Sequence, residues 1–236
     1  MVTEASTPTA VPSATPRQEL LWLLGIAAVL AVLFRLLPAL DLAAARAFLG
    51  PDGFAAPKQG VNGVFYWLGD TGAKLSYVLL SMAAVAALLS VPKLAAWRAR
   101  LCFLWFALAL GPGLLVNVLL KVEVERPRPS QVVEFGGPQA FVPAFAVPPP
   151  DAYGASFVSG HAAIAFWLGA LAWVFPRRRR AWLIAGLGAG ALMGATRMSA
   201  GAHFLSDVVF AGVAVYLTAA LAAWLTARLL PPDPLR

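Results

Sequence analysis

Apolar residues run along this chain in long blocks, separated by short stretches rich in Arg, Lys, Gly and Pro. Six blocks reach or approach the roughly 20 residues needed to cross a hydrocarbon core: 20–40, 74–92, 101–121, 157–176, 181–198 and 206–228. Each predicts a transmembrane helix, so the pattern predicts an all-α, polytopic membrane protein with six spans. The first block carries Arg35, placed to snorkel or to face the protein interior. In the third, Gly111-Pro112-Gly113 predicts a kink, tolerated where neighbouring helices satisfy the backbone. Gly186, Gly190 and Gly194 recur every four residues in the fifth and predict close helix packing without a part in chemistry.

The remaining segments are short. Residues 1–19, rich in Thr, Pro, Ser and Ala, predict a disordered tail, 20–228 a membrane domain, and 229–236 a second tail. The first apolar run starts only near Leu20, after a polar stretch with Glu4 and Glu19, which argues against a cleaved signal peptide. Asp70, in Gly69-Asp70-Thr71-Gly72, reads as a helix-start residue, and Trp67 and Trp97 as interface anchors.

Composition agrees with the pattern. The chain is 60% hydrophobic and 12% charged, where a soluble domain is about a quarter charged. That leaves no room for a separate soluble domain. The net charge of +7 is not a nucleic-acid footprint, because the basic residues sit in loops between apolar runs. Arg17, then Lys93, Arg98 and Arg100, then Arg177 to Arg180, then Arg228 and Arg236 alternate onto one side if six helices form. The positive-inside tendency makes that side cytoplasmic, with both termini inside. The other side receives 41–73, 122–156 and 199–205, with Asp41, Asp52, Asp70, Glu123, Glu125, Glu134 and Asp151. Cations there run against the tendency and need a local reason, which anion binding supplies.

Four of those cations, Lys121, Arg126, Arg128 and Arg197, belong to three clusters: Lys121 to Pro129 (KVEVERPRP), Ser159-Gly160-His161, and Thr196-Arg197 followed by His203 and Asp207. Both histidines of the chain fall inside them. Span counting brings all three to the same outer membrane depth. A carboxylate four residues after a histidine shares its helical face and can hold one ring nitrogen, freeing the other to attack. Phosphoryl displacement needs mostly positioning and charge stabilisation. Lys121, Arg128 and Arg197 offer cationic donors, and Ser159 with the Gly160 amide adds neutral donors near a helix start. His203, oriented by Asp207, is the nucleophile and forms a phosphohistidine; His161 protonates the leaving alcohol and then activates water. This chemistry uses no metal and no cofactor. Cys102, the single cysteine, excludes an intrachain disulfide and reads as a small apolar filler.

Lys121-x6-Arg128-Pro129, Ser159-Gly160-His161 and Arg197-x5-His203-x3-Asp207 resemble the signature of the type 2 phosphatidic acid phosphatase superfamily. The resemblance covers about residues 39–228 and implies an all-helical six-span core with metal-independent phosphatase activity. Two positions depart from the pattern: Val158 replaces Pro before Ser-Gly-His, which alters the turn, and Thr196 replaces Ser, keeping a hydroxyl for phosphate contact.

A site at the outer edge of a helix bundle suits a phosphorylated lipid, and the long 122–156 loop is placed to carry specificity. VVEFGG, FVPAF and SFVSGHAA resemble the bacterial branch of lipid A 4'-phosphatase-like enzymes, although the cysteine pair of some relatives is absent from Asp151 to Ser156. The expected setting is therefore a bacterial inner membrane with a periplasmic site and a phosphorylated lipid, lipid A first, as partner. Undecaprenyl pyrophosphate, phosphatidylglycerol phosphate and phosphatidic acid present similar charges. Arg126 either binds a second phosphate or faces solvent, and Glu134 repels highly anionic heads or selects an amino sugar. A lipid phosphotransferase and a lipid-phosphate binder are the rival classes; the intact histidines and Asp207 disfavour the binder. Oligomeric state is not legible.

Overall fold

The computed structural model describes residues 16–89, 97–120 and 125–229. Among them the chain is helical apart from loops and two isolated bridges, Gly50–Gly53 and Val132–Gln139. Helix α1 (Pro16–Leu36) leads through short α2 (Ala39–Arg46) into α3 (Gly60–Leu88). Then come α4 (Arg98–Leu120), α5 (Gly160–Val174), α6 (Arg179–Ser199) and α7 (Leu205–Leu229).

Among the described residues, length and hydropathy single out four candidate spans, α1, α3, α4 and α7, where the sequence pattern predicts six. Helix α5 is apolar but short, and α6, at 21 residues, carries Arg179, Arg180 and Arg197. The bundle forms around α7, whose most apolar window is 67% buried against 6% for α1. Small residues such as Ala211, Ala214, Ala219 and Ala222 let its neighbours approach closely. The α6 glycine row acts likewise: a Cβ on Gly186, Gly190 or Gly194 would collide with Gly169, Phe166 or Val208. By contrast Leu21, Trp22, Val29 and Val32 on α1 point outward, as lipid-facing side chains do.

Two expectations change. Helix α3 begins at Gly60 rather than near 74, so Asp70 lies inside it and pairs with Lys74 at 2.8 Å, one turn on. The glycines flanking Asp70 are poor helix formers, but Gly69 is retained by packing, since any Cβ there would strike the His161 ring. Residues 16–19, expected in a disordered tail, open α1, where Glu19 pairs with Arg179 at 3.1 Å and accepts from the Trp173 indole at 3.1 Å. In α4, where Gly-Pro-Gly predicts a kink, the helix widens from Ala109 to Leu120 into a π-helix. There Asn117 donates to the Pro112 carbonyl at 2.6 Å, while Gly111 lies on Thr218 and Gly113 on Tyr77. Cys102 is buried and unbonded, and Trp67 and Trp97 are exposed.

The Glu19–Arg179 pair puts the start of α1 beside the arginine-rich α5–α6 turn. At the opposite end three loops are tied together by main-chain bonds. Ala55 donates to Ser199 at 2.9 Å, Ser130 to Gly201 at 3.0 Å and Ser156 to Arg126 at 3.1 Å.

Candidate active site

Helix α6 closes in a way that sets up the site. Gly201 adopts φ +61°, and the Gly201 and Ala202 amides turn back to the carbonyls of Met198 (2.9 Å) and Arg197 (3.0 Å). This glycine-capped helix end places Arg197 in the last turn and His203 two residues beyond the glycine. A side chain on Gly201 would also collide with Phe54.

His203 precedes α7 rather than lying in it, and it pairs with Asp207 more loosely than it meets Ser156. Its Nδ1 is 2.6 Å from the Ser156 carbonyl and 3.8 Å from Asp207 Oδ2. Only a protonated Nδ1 can meet a carbonyl, which leaves Nε2 with the lone pair. Asp207 Oδ2 also accepts from the Phe204 amide at 2.7 Å and from the Ser156 hydroxyl. Burial holds the His203 pKa below its ordinary value of 6.5, against the opposing pull of Asp207, so the ring is neutral at pH 7.

Arg126 neither binds a phosphate nor faces solvent. It is 1% exposed, with Nη1 on Asp207 at 2.6 Å and Nη2 on Asp41 at 2.8 Å. Burial disfavours its charge, but Asp207 and Asp41 outweigh that and leave its pKa raised. The Cζ lies 4.5 Å from the Phe204 ring centroid.

A cleft of about 360 Å³ opens beside this core. Arg128, Arg197, Ser130 and Phe135 line it, and Phe54 to Pro57 close its far wall. Arg197 is only 5% exposed, yet its Nε and Nη1 have no hydrogen-bond partner among the described residues. Lys121 lies outside the described residues. Ser159, fully buried, caps α5 by accepting from the Ala162 amide at 3.4 Å, with Gly160 and His161 following in the first turn. The Thr196 hydroxyl donates to Met193 at 2.8 Å, so its hydrogen is directed along its own helix rather than toward a phosphate. Glu134 is exposed on a 3₁₀ turn, next to Phe135 of the cleft. Val158 is buried, and the Phe157–Val158 peptide is cis. Among the described residues no three His, Cys, Asp or Glu side chains are grouped as metal ligands.

Helices α2 and α3 contribute residues the motifs do not announce. The Tyr66 ring packs on His161 with centroids 4.9 Å apart, and Arg197 Cζ and Lys58 Nζ lie 5.3 and 4.9 Å from its centre. Gly69 provides the flat surface under His161, and Asp41 the second partner of Arg126. A lone Asp or Tyr in the 41–73 segment carries no spacing signal. Lys58 had one: it is a cation on the side where cations need a reason.

Residues 100–230 match the PAP2 superfamily model, a stretch that contains every motif residue above. The chain belongs to the PAP2 superfamily. It is similar to the lipid A 4'-phosphatase of Francisella tularensis subsp. novicida (strain U112), 31% identical over 191 residues, 79% of this chain and 86% of that protein. Enzymes of the same name from Rhizobium etli and Rhizobium leguminosarum are each 47% identical over 103 residues, 43% of this chain and 40% and 44% of theirs. No solved structure matches. Family and relatives together make this PAP2 protein a transmembrane phosphatase acting on a phosphate monoester.

Proposed function

We propose that this PAP2 protein hydrolyses a phosphate monoester of a membrane lipid, lipid A, at the periplasmic face of a bacterial inner membrane. The observation that carries the reading is Arg197: a buried guanidinium with two nitrogens unpartnered among the described residues, lining one cleft with Arg128. A buried donor left unmet costs about 1–3 kcal/mol, and more when charged, so the arrangement fits an anion.

In the reaction, His203 Nε2 attacks phosphorus as the ester P–O bond breaks, giving a phosphohistidine and an alkoxide that takes its proton from His161. Water then attacks the phosphohistidine, losing its proton to His161, and phosphate leaves as the N–P bond breaks. Arg128, Arg197 and Lys121 balance the charge spread over the equatorial oxygens. Lipid A is supported by the names of the relatives, and a site at the bundle end lets the lipid tails remain in the hydrocarbon. The orientation is supported by Arg177 to Arg180 at the end opposite the clusters, with both termini then cytoplasmic.

Purified protein and His203→Ala, assayed in detergent with lipid A, undecaprenyl pyrophosphate, phosphatidylglycerol phosphate and phosphatidic acid, test the reading. Phosphate release by wild type alone, greatest on lipid A, is expected. Preference for another lipid overturns the substrate. Release by the variant, or phosphate passing to a second lipid without appearing free, overturns the mechanism.

A further inference from the structure

The buried charges behind His203 take no part in the chemistry above, yet they form an unbroken chain from α2 to the nucleophile. Asp41 accepts from the Ser206 amide at 2.8 Å and its hydroxyl at 2.6 Å, and from Arg126 Nη2 at 2.8 Å. Arg126 fills its remaining directions with the Val142 carbonyl, Ser206 Oγ and Asp207 Oδ1, at 2.8, 2.8 and 2.6 Å. Asp207 Oδ2 receives the Ser156 hydroxyl, and the carbonyl of that same Ser156 receives His203 Nδ1–H at 2.6 Å. Asp41, Ser206 and Asp207 are each 0% exposed, so water does not compete for these bonds.

We propose that Asp41 and Arg126 are positioning residues that fix Asp207, and that Asp207 and the Ser156 carbonyl together hold His203 as the Nδ1–H tautomer. This rests on the reading of His203 as nucleophile. The charge arithmetic favours such an arrangement. Two carboxylates and one guanidinium leave one net negative charge, and Arg126 lies nearer to Asp207 than His203 does, at 2.6 against 3.8 Å. Arg126 thereby restrains Asp207 from drawing a proton onto the imidazole, where it would destroy the nucleophile. The charged groups facing His203 are Asp207 from α7 and Arg197 from α6; Arg126 and Asp41 reach it through Asp207.

Arg126→Met alone leaves two buried carboxylates without their cation and is expected to destabilise the fold. The double variant Asp41→Asn/Arg126→Met retains one net negative charge while freeing Asp207 from the guanidinium. In the full-length protein in detergent, the double variant is expected to lose about 10- to 100-fold in kcat. The acid limb of its kcat/KM profile moves to higher pH, because an unshielded Asp207 raises the His203 pKa. Ser156→Ala removes the hydroxyl, keeps the carbonyl, and is expected to move the limb the same way; it carries the test if the double variant does not fold. A folded variant with wild-type kcat and an unmoved limb overturns the proposal, as does a loss of kcat with no shift, the result of a merely structural role. His203→Ala separates the two readings: turnover surviving that change sinks the nucleophile itself, whereas a dead His203→Ala beside an unshifted relay variant sinks only the relay.

Discussion

At the scale of single residues, free energy is concentrated where donors lack partners. Arg197 holds Nε and Nη1 away from water with no protein acceptor among the described residues, so an anion bound there would relieve a cost already present. Lysine has neither the fork nor the reach to satisfy that geometry. Arg197→Lys is therefore expected to lower kcat/KM by about 100-fold with the fold retained, on the scale of one oxyanion-stabilising donor; a variant within threefold of wild type removes Arg197 from the phosphate. His203 supplies a pH signature. Its pKa is depressed by burial, so the neutral, nucleophilic form persists below pH 6.5, and protonation removes activity as pH falls through the folded-state value. The acid limb of kcat/KM is expected below pH 6.5, and a midpoint above it contradicts a neutral ring held by Ser156. Arg197, His161, His203 and Asp207 stand out in the sequence because they fall at motif spacings in otherwise apolar sequence. Arg126 was noticed but misplaced: an arginine in a polar loop looks the same whether it meets solvent or two carboxylates distant in sequence.

Elements position these groups, and here packing overrides local preference. Helix α3 runs through Gly69 and Gly72, and Gly69 lets the helix lie directly under the His161 ring while Tyr66 flanks it. Gly69→Ala should improve helix propensity by up to ~1 kcal/mol yet displace His161. The expected result is a kcat loss of about 10-fold or more on a lipid alcohol leaving group, and much less on p-nitrophenyl phosphate, whose leaving group needs no proton. Equal losses on both substrates contradict the general-acid role. The glycine-capped end of α6 is the second such device. The sequence pattern ended that block at 198, where the apolar run stops, close to the observed Ser199. The start of α3 was not readable, since glycines and an aspartate look like a turn until a partner ring is found for one and Lys74 for the other.

For the whole molecule, a membrane bundle places polar chemistry at its ends and small residues at its centre. The pattern of apolar blocks predicted that the three motif clusters meet at one end, and the loops around the cleft meet there. The number of blocks that cross is less plainly marked, because α5 is short and α6 carries arginines in its first and last turns. Orientation has a direct test. Cys102 is 5% exposed, so a single added cysteine reports cleanly. Lys58→Cys is expected to react with a membrane-impermeant maleimide in intact spheroplasts, and Arg180→Cys only after lysis; the reverse pattern inverts the proposed topology. In the proposed mechanism Arg and Lys side chains carry the charge stabilisation, so activity is expected to survive EDTA. A loss restored by added metal contradicts that assignment.

The central claim is that His203 becomes phosphorylated. Rapid quench of the full-length protein during turnover, followed by peptide mass spectrometry under alkaline conditions that preserve a phosphoramidate, tests it most directly. The account predicts one phosphoryl group on His203, accumulating when His161→Ala slows the water step. Turnover with that peptide unmodified, or the phosphoryl group found on another side chain, would contradict it.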